Sequence, residues 1–179
     1  MSCLRFNQTI VKQCGGGTPG IKRLWVSNYE DVGTVTESAG LVTAISSATT
    51  YTGGTDFWYS VHLNRESSSF MDQVTLNTPS GNYFYKPTLT LKLGSLDVAI
   101  RTLFNQISQT ELVFIVETVD GKQYLLGKAQ GMTVETATMN SGTAAADTNK
   151  GFEGTFSGAE PEPYIEINTA QWNVENYTF

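Results

Sequence analysis

Residues 112–126 read LVFIVETVDGKQYLL, and this stretch decides the fold. Leu112 to Val116 are apolar without a break, which leaves no polar side for water and is the pattern of a strand covered on both faces. Asp120-Gly121 follows, the dipeptide that a tight turn with positive φ selects, and KQYLL (122–126) then resumes an extended pattern. The stretch predicts a β-hairpin buried in the middle of a sheet.

Working outward, the same period of two recurs. Residues 57–63 place Phe57, Tyr59, Val61 and Leu63 on one side and Trp58, Ser60 and His62 on the other. Residues 81–93 set Tyr83, Tyr85, Leu89, Leu91 and Leu93 against Asn82, Lys86, Thr88, Thr90 and Lys92. Pro87 interrupts that run and demands an edge, a bulge or a bend, because it cannot donate to a ladder. Residues 70–76 form a weaker strand suited to an edge. Residues 131–139 and 151–157 alternate again and are expected to pair, and 21–26, 41–45 and 164–167 complete eight or nine strands. The period changes once: Leu96, Ile100, Leu103 and Ile107 recur at steps of four, three and four, with Ser95 as cap and Asp97 near the positive end, which predicts one amphipathic helix at about 95–108. The expected class is mainly β, an antiparallel β-sandwich or half-barrel with one flanking α-helix.

Composition agrees. The chain has 179 residues, 40% hydrophobic and 16% charged, with 17 glycines, a size for one domain with an ordinary core. Residues 1–19 end in GGGTPG and read as an N-terminal arm, 20–167 as the domain, and 168–179 as a C-terminal arm that keeps Trp172, Tyr177 and Phe179 without room for a core of its own. No stretch approaches the roughly 18–20 apolar residues of a membrane span, and the first residues lack the apolar core of a secretory signal, so a soluble chain made in the cytoplasm is expected. Cys3 and Cys14 lack metal-site spacing and fit free thiols or one small disulfide.

The net charge of −6 is unevenly placed: residues 1–128 hold ten acids and ten bases, whereas 129–179 hold seven acids against Lys150 alone. Such a balance argues against tight binding to phosphate backbones, which relies on Lys and Arg.

Signatures of catalysis are weak. The glycines at 15–20 have neither the preceding strand nor the following helix and Lys of a phosphate cradle, and read as a turn. A single histidine, His62, supports neither a triad nor a zinc site. Asp147, Asn149 and Gly151 resemble the start of a calcium loop without its terminal bidentate acid. Glu160 and Glu162 straddle Pro161 on an expected surface loop, with no evident cleft for paired carboxylates. No enzyme, metal or cofactor is expected.

The order of short motifs is more specific. An early Cys followed by GG-x-x-x-I, then WVSNYEDV at 25–32, F-x-Y at 57–59, SGNYFY at 80–85, the helix, DGKQYLLG at 120–127, SGTA at 141–144 and FSGAEPEP at 156–163 resembles the tail tube proteins of tailed bacteriophages that infect Bacteroidetes. The resemblance spans most of the chain. It implies six copies closed head to tail into a ring and rings stacked into a hollow tube in the virion. One sheet of each subunit would join a continuous barrel around a channel for duplex DNA, and a long hairpin and terminal arms would grip the next ring. Partners would be the chain itself, other tail proteins and passing DNA, with no membrane insertion.

By position, the resemblance assigns the inter-ring loop to 46–55 (Thr49, Thr50, Tyr51, Gly53 and Gly54) and arm contacts to Leu4, Phe6, Trp172, Tyr177 and Phe179. Carboxylates in a channel repel phosphate and release no counterions, so Glu135, Glu153 and Glu166 are the expected lumen-facing residues. Two relatives of this function are a neck or connector ring and the tube subunit of an injection machine. A different class is a monomeric β-barrel holding a small apolar ligand among Trp25, Phe57, Trp58, Tyr83, Phe84 and Tyr85.

Overall fold

The computed structural model describes residues 20–48, 57–61, 63, 68–77, 82–93, 98–107, 109–141 and 151–178. Among them are eleven strands and one α-helix: β1 (Ile21–Asn28), β2 (Val32–Ser38), β3 (Leu41–Ser47), β4 (Tyr59–Val61), β5 (Ser69–Asn77), β6 (Asn82–Leu93), α1 (Val98–Ile107), β7 (Leu112–Thr118), β8 (Gln123–Leu126), β9 (Thr133–Asn140), β10 (Gly151–Ser157) and β11 (Ile165–Ile167). They form a seven-stranded sheet ordered β2-β3-β11-β8-β7-β1-β4 and a four-stranded sheet ordered β5-β6-β10-β9. The protein is therefore mainly β, with antiparallel pairing dominant and, among the described residues, a single short α-helix.

The 112–126 hairpin forms as its pattern requires. Thr118 N–H donates to the Lys122 carbonyl at 2.9 Å, Gly121 N–H donates back to Thr118 at 3.0 Å, and Gly121 takes φ 85°. Residues 112–117 of β7 are all buried. Its alternate side chains serve two separate cores. Leu112, Phe114 and Val116 join Leu24 and Leu126 against Leu89, Leu91, Leu93, Phe152 and Phe156 of the smaller sheet, with Ile107 of α1 at the end. Val113 and Ile115 face the other way, into a layer of Trp25, Val42, Ile45, Leu125 and Ile167.

That second layer corrects the expectation for the C-terminal arm. Residues 168–178 fold back over the outer face of the seven-stranded sheet. Asn168 N–H donates to Val42 at 2.8 Å, and the N–H groups of Phe57 and Trp58 both donate to the Tyr177 carbonyl, at 3.1 and 3.0 Å. Trp172 is 4% exposed, stacks on Tyr177 with ring centroids 5.4 Å apart, and meets Trp58 edge-on at 6.5 Å. Arg23 ties the same strap down by pairing with Glu175, while also bonding the buried Glu117 at 2.8 Å and lying 5.2 Å over Trp25. Trp172 and Tyr177 thus pack into the chain's own second layer. The reason is the two-sided β7, whose second face needs a cover.

Two local differences have physical causes. Strand β2 was not expected, because VGTVTES is polar and its turn to β3 lacks an Asn or Asp. The turn is Ala39-Gly40, and both residues take positive φ, 53° and 78°, the geometry of a primed hairpin turn with alanine in the unusual place. Pro87 lies inside the central strand β6 without breaking it. Its N faces the side where β10 pairing has ended at Thr88, and its carbonyl accepts from Gly158 N–H at 3.2 Å.

Replacing Trp172 by Ala should cost about 3–5 kcal/mol, the usual range for emptying a buried aromatic site, read as a lowered midpoint in chemical denaturation. Gly127→Ala should also destabilise, because φ is 80° there and a Cβ would sit 2.9 Å from Met132 Cγ and 3.1 Å from the Leu112 carbonyl oxygen.

Candidate assembly surface

The four-stranded sheet is built from alternating directions, so its two edge strands, β5 and β9, run opposite ways. No described strand pairs with the outer edge of either. Strand β5 holds register with β6 from Ser69 to Asn77 without a bulge, and Asp72 is its sole charged residue. A long, regular, weakly charged edge is what isolated proteins avoid. Strand β9 carries a bulge near Val134, beyond which Thr136–Asn140 run in regular register.

The β5–β6 hairpin also outruns the sandwich. Pairing of β6 with β10 stops at Thr88, and the segment after β10 adds reciprocal bonds between Tyr85 and Glu160, both 2.8 Å. Beyond that point the hairpin projects by about 10 Å at the usual rise of a strand. The face that carries Leu89, Leu91 and Leu93 in the core carries Val74, Leu76 and Tyr83 further along, at 58%, 61% and 57% exposure. Val74 lies opposite Tyr85 and Leu76 opposite Tyr83, so these side chains form one apolar patch. The reverse face adds Met71 and Phe84, also exposed. The alternation in 81–93 puts Tyr83 on the same side as Leu89, Leu91 and Leu93, but the core stops short of Tyr83.

Of the three candidate lumen carboxylates, Glu135 and Glu153 share a face and Glu166 lies on the other sheet. Glu153 and Glu135 lie on the outer face of the four-stranded sheet, where they bond Lys92 and Lys86, each at 3.0 Å. The bond from Lys86, with a second from Ser157, holds the Glu135 carboxyl below its ordinary range. Glu166 is on the other sheet, beside Tyr124 in register, and bonds Lys122 at 3.0 Å. The acidic excess of the last third therefore does not produce unpaired carboxylates at these positions. The bases that neutralise them come from residues 86–122, which sequence distance concealed.

Thr49, Thr50, Tyr51, Gly53, Gly54, Leu4, Phe6 and Phe179 lie outside the described residues, as do His62, Cys3, Cys14, Asp147 and Asn149. Among the described residues, no group of three His, Cys, Asp or Glu is arranged to hold a metal, and no helix is long and apolar enough to cross a membrane. Glu160 and Glu162 have separate structural partners. Glu160 is 5% exposed and accepts from the Ala129 and Gln130 N–H groups at 2.8 and 3.3 Å, while Glu162 pairs with Lys128 at 3.2 Å. The cleft beside them, between Leu126, Pro87 and Tyr164, encloses about 10 Å³, room for one water. The aromatics suggested for a ligand cavity do not converge: Trp25, Phe57 and Trp58 are packed beneath the strap, whereas Tyr83 and Phe84 are exposed on the other sheet.

Comparison with protein-family models, with curated proteins and with solved structures finds no match to this chain.

Burial pushes the Glu160 carboxyl above its ordinary range, against the pull of the two N–H groups and Lys128. A carboxyl with a raised folded pKa holds its proton more tightly when folded. Its contribution to stability is full below the unfolded value of about 4.3 and is lost as pH rises through the folded value. In denaturation midpoints measured against pH, Glu160→Gln should remove that decline and leave a flatter profile above pH of about 4.

Proposed function

We propose that this chain is a structural subunit of a phage tail tube, assembling with copies of itself into stacked rings that enclose a channel for DNA. The observation that carries the reading is the β5–β6 hairpin, which presents Val74, Leu76 and Tyr83 to solvent on a face that is core elsewhere. A solitary protein gains nothing from three large apolar side chains on a projecting, open-edged hairpin, whereas a second copy can bury them.

Strand directions support a ring. With four alternating strands, β5 of one copy meets β9 of the next in antiparallel sense, so a head-to-tail contact repeats without a break in the ladder. The motif order in the sequence supplies the remaining detail, namely six copies per ring, virion localisation and other tail proteins as partners. In this reading the exposed β5–β6 hairpin takes the inter-ring part that the resemblance, by position, gave to 46–55. A neck ring or an injection-machine tube would use the same contacts. The ligand-binding barrel is disfavoured by the scattered aromatics.

Negative-stain electron microscopy of concentrated protein should show rings or tubes. Leu76→Asp should abolish them while changing monomer stability by less than about 0.5 kcal/mol, as expected at an exposed site. Single compact particles at every concentration, with or without crowding agent, would count against the reading.

A further inference from the structure

We infer that Glu135 and Glu153 act as masks for Lys86 and Lys92, keeping one face of the four-stranded sheet from adhering to a duplex polyanion; the choice of polyanion rests on the tube reading above. The outer face of the seven-stranded sheet is covered by the 168–178 strap, whereas the four-stranded sheet has no described layer over its outer face. If copies join edge to edge with the body of each subunit outside, that open face is turned to the channel.

The chemistry of the face fits a surface that passes a polymer without holding it. Thr88, Thr90, Thr136, Thr138, Thr155 and Ser157 occupy it, with Met71 and Phe84 as apolar exceptions toward the hairpin tip. The charged residues of the four strands are Asp72, Lys86, Lys92, Glu135 and Glu153. Asp72 lies on the opposite face, where its carboxylate accepts from Tyr164 N–H at 3.1 Å. The remaining four are two cations and two anions, each lysine 3.0 Å from a carboxylate.

Such pairs need not be strong to matter. Exposed ion pairs contribute about 0–1 kcal/mol to stability, but an opposite charge held well inside a Debye length of about 8 Å cancels the far field of the lysine. Phosphates then gain no counterion release from it. Bare carboxylates would also repel DNA. The pairs achieve non-adhesion with no net charge, which spares the face from repelling its own copies around a ring.

The test is retention of the full-length protein on double-stranded DNA cellulose at 50 mM salt, which does not require tubes to form. Wild type should flow through. Glu135→Gln with Glu153→Gln should be retained, with affinity falling about tenfold between 50 and 200 mM salt, as two released counterions per subunit predict. Adding Lys86→Gln and Lys92→Gln to that variant should restore flow-through. Glu30→Gln with Glu111→Gln, an equal change in net charge elsewhere, should flow through. Masking is overturned if the Glu135/Glu153 variant flows through, if the fourfold variant is retained as strongly as the double, or if the Glu30/Glu111 control is retained equally. Because assembly is scored separately by microscopy, masking without tubes would reject the tube reading alone, and tubes without unmasking would reject this inference alone.

Discussion

A strand that is apolar on both faces cannot rest on the surface of anything, and β7 is such a strand. Six consecutive residues, Leu112 to Glu117, are withdrawn from water, five of them apolar. At about 25 cal/mol per Å² of apolar surface, leaving either side bare would forfeit several kcal/mol, so the fold must supply two covers. The four-stranded sheet is one. The second comes from the last residues of the chain, with Phe57 and Trp58, laid across the opposite face of the larger sheet.

That division of labour determines what is left over. The C-terminal segment packs onto its own chain through Trp172, Val174 and Tyr177. Among the described residues, the smaller sheet is covered on one side, with a polar outer face, two edges that meet no other strand and a hairpin longer than the body beneath it. Each is unremarkable in isolation. Together they describe a unit whose edges match in direction and whose exposed apolar side chains lie on the same sheet as those edges.

Much of this was legible in the sequence because burial patterns leave a periodic trace. LVFIV announced a doubly covered strand, Asp120-Gly121 a tight turn, and the alternation of 131–139 and 151–157 a neighbouring pair. The 95–108 helix was readable from its steps of four and three, and the structure describes it from Val98 to Ile107. What escaped was set by tertiary context. Alternation tells that Tyr83 and Leu89 share a face but not that the sandwich ends between them. An excess of Glu in the final third tells nothing about lysines that the register brings alongside. Ala39 in a left-handed turn has no signal of its own, since alanine is not a residue that such turns select. The tail's aromatics signalled docking, but not onto which surface.

The central claim is that the edges of the four-stranded sheet are completed by other copies of the same chain. It is tested most directly by replacing Cys3 and Cys14 with serine, placing cysteines at Gln73 on β5 and Thr136 on β9, on one face at opposite edges, and oxidising concentrated protein under mild conditions. Edge pairing predicts a ladder of disulfide-linked oligomers that ends at a closed ring and shrinks sharply when the cysteines are moved to register-breaking positions. A monomer that stays unlinked, or links that form equally at every tested pair of positions, would contradict it.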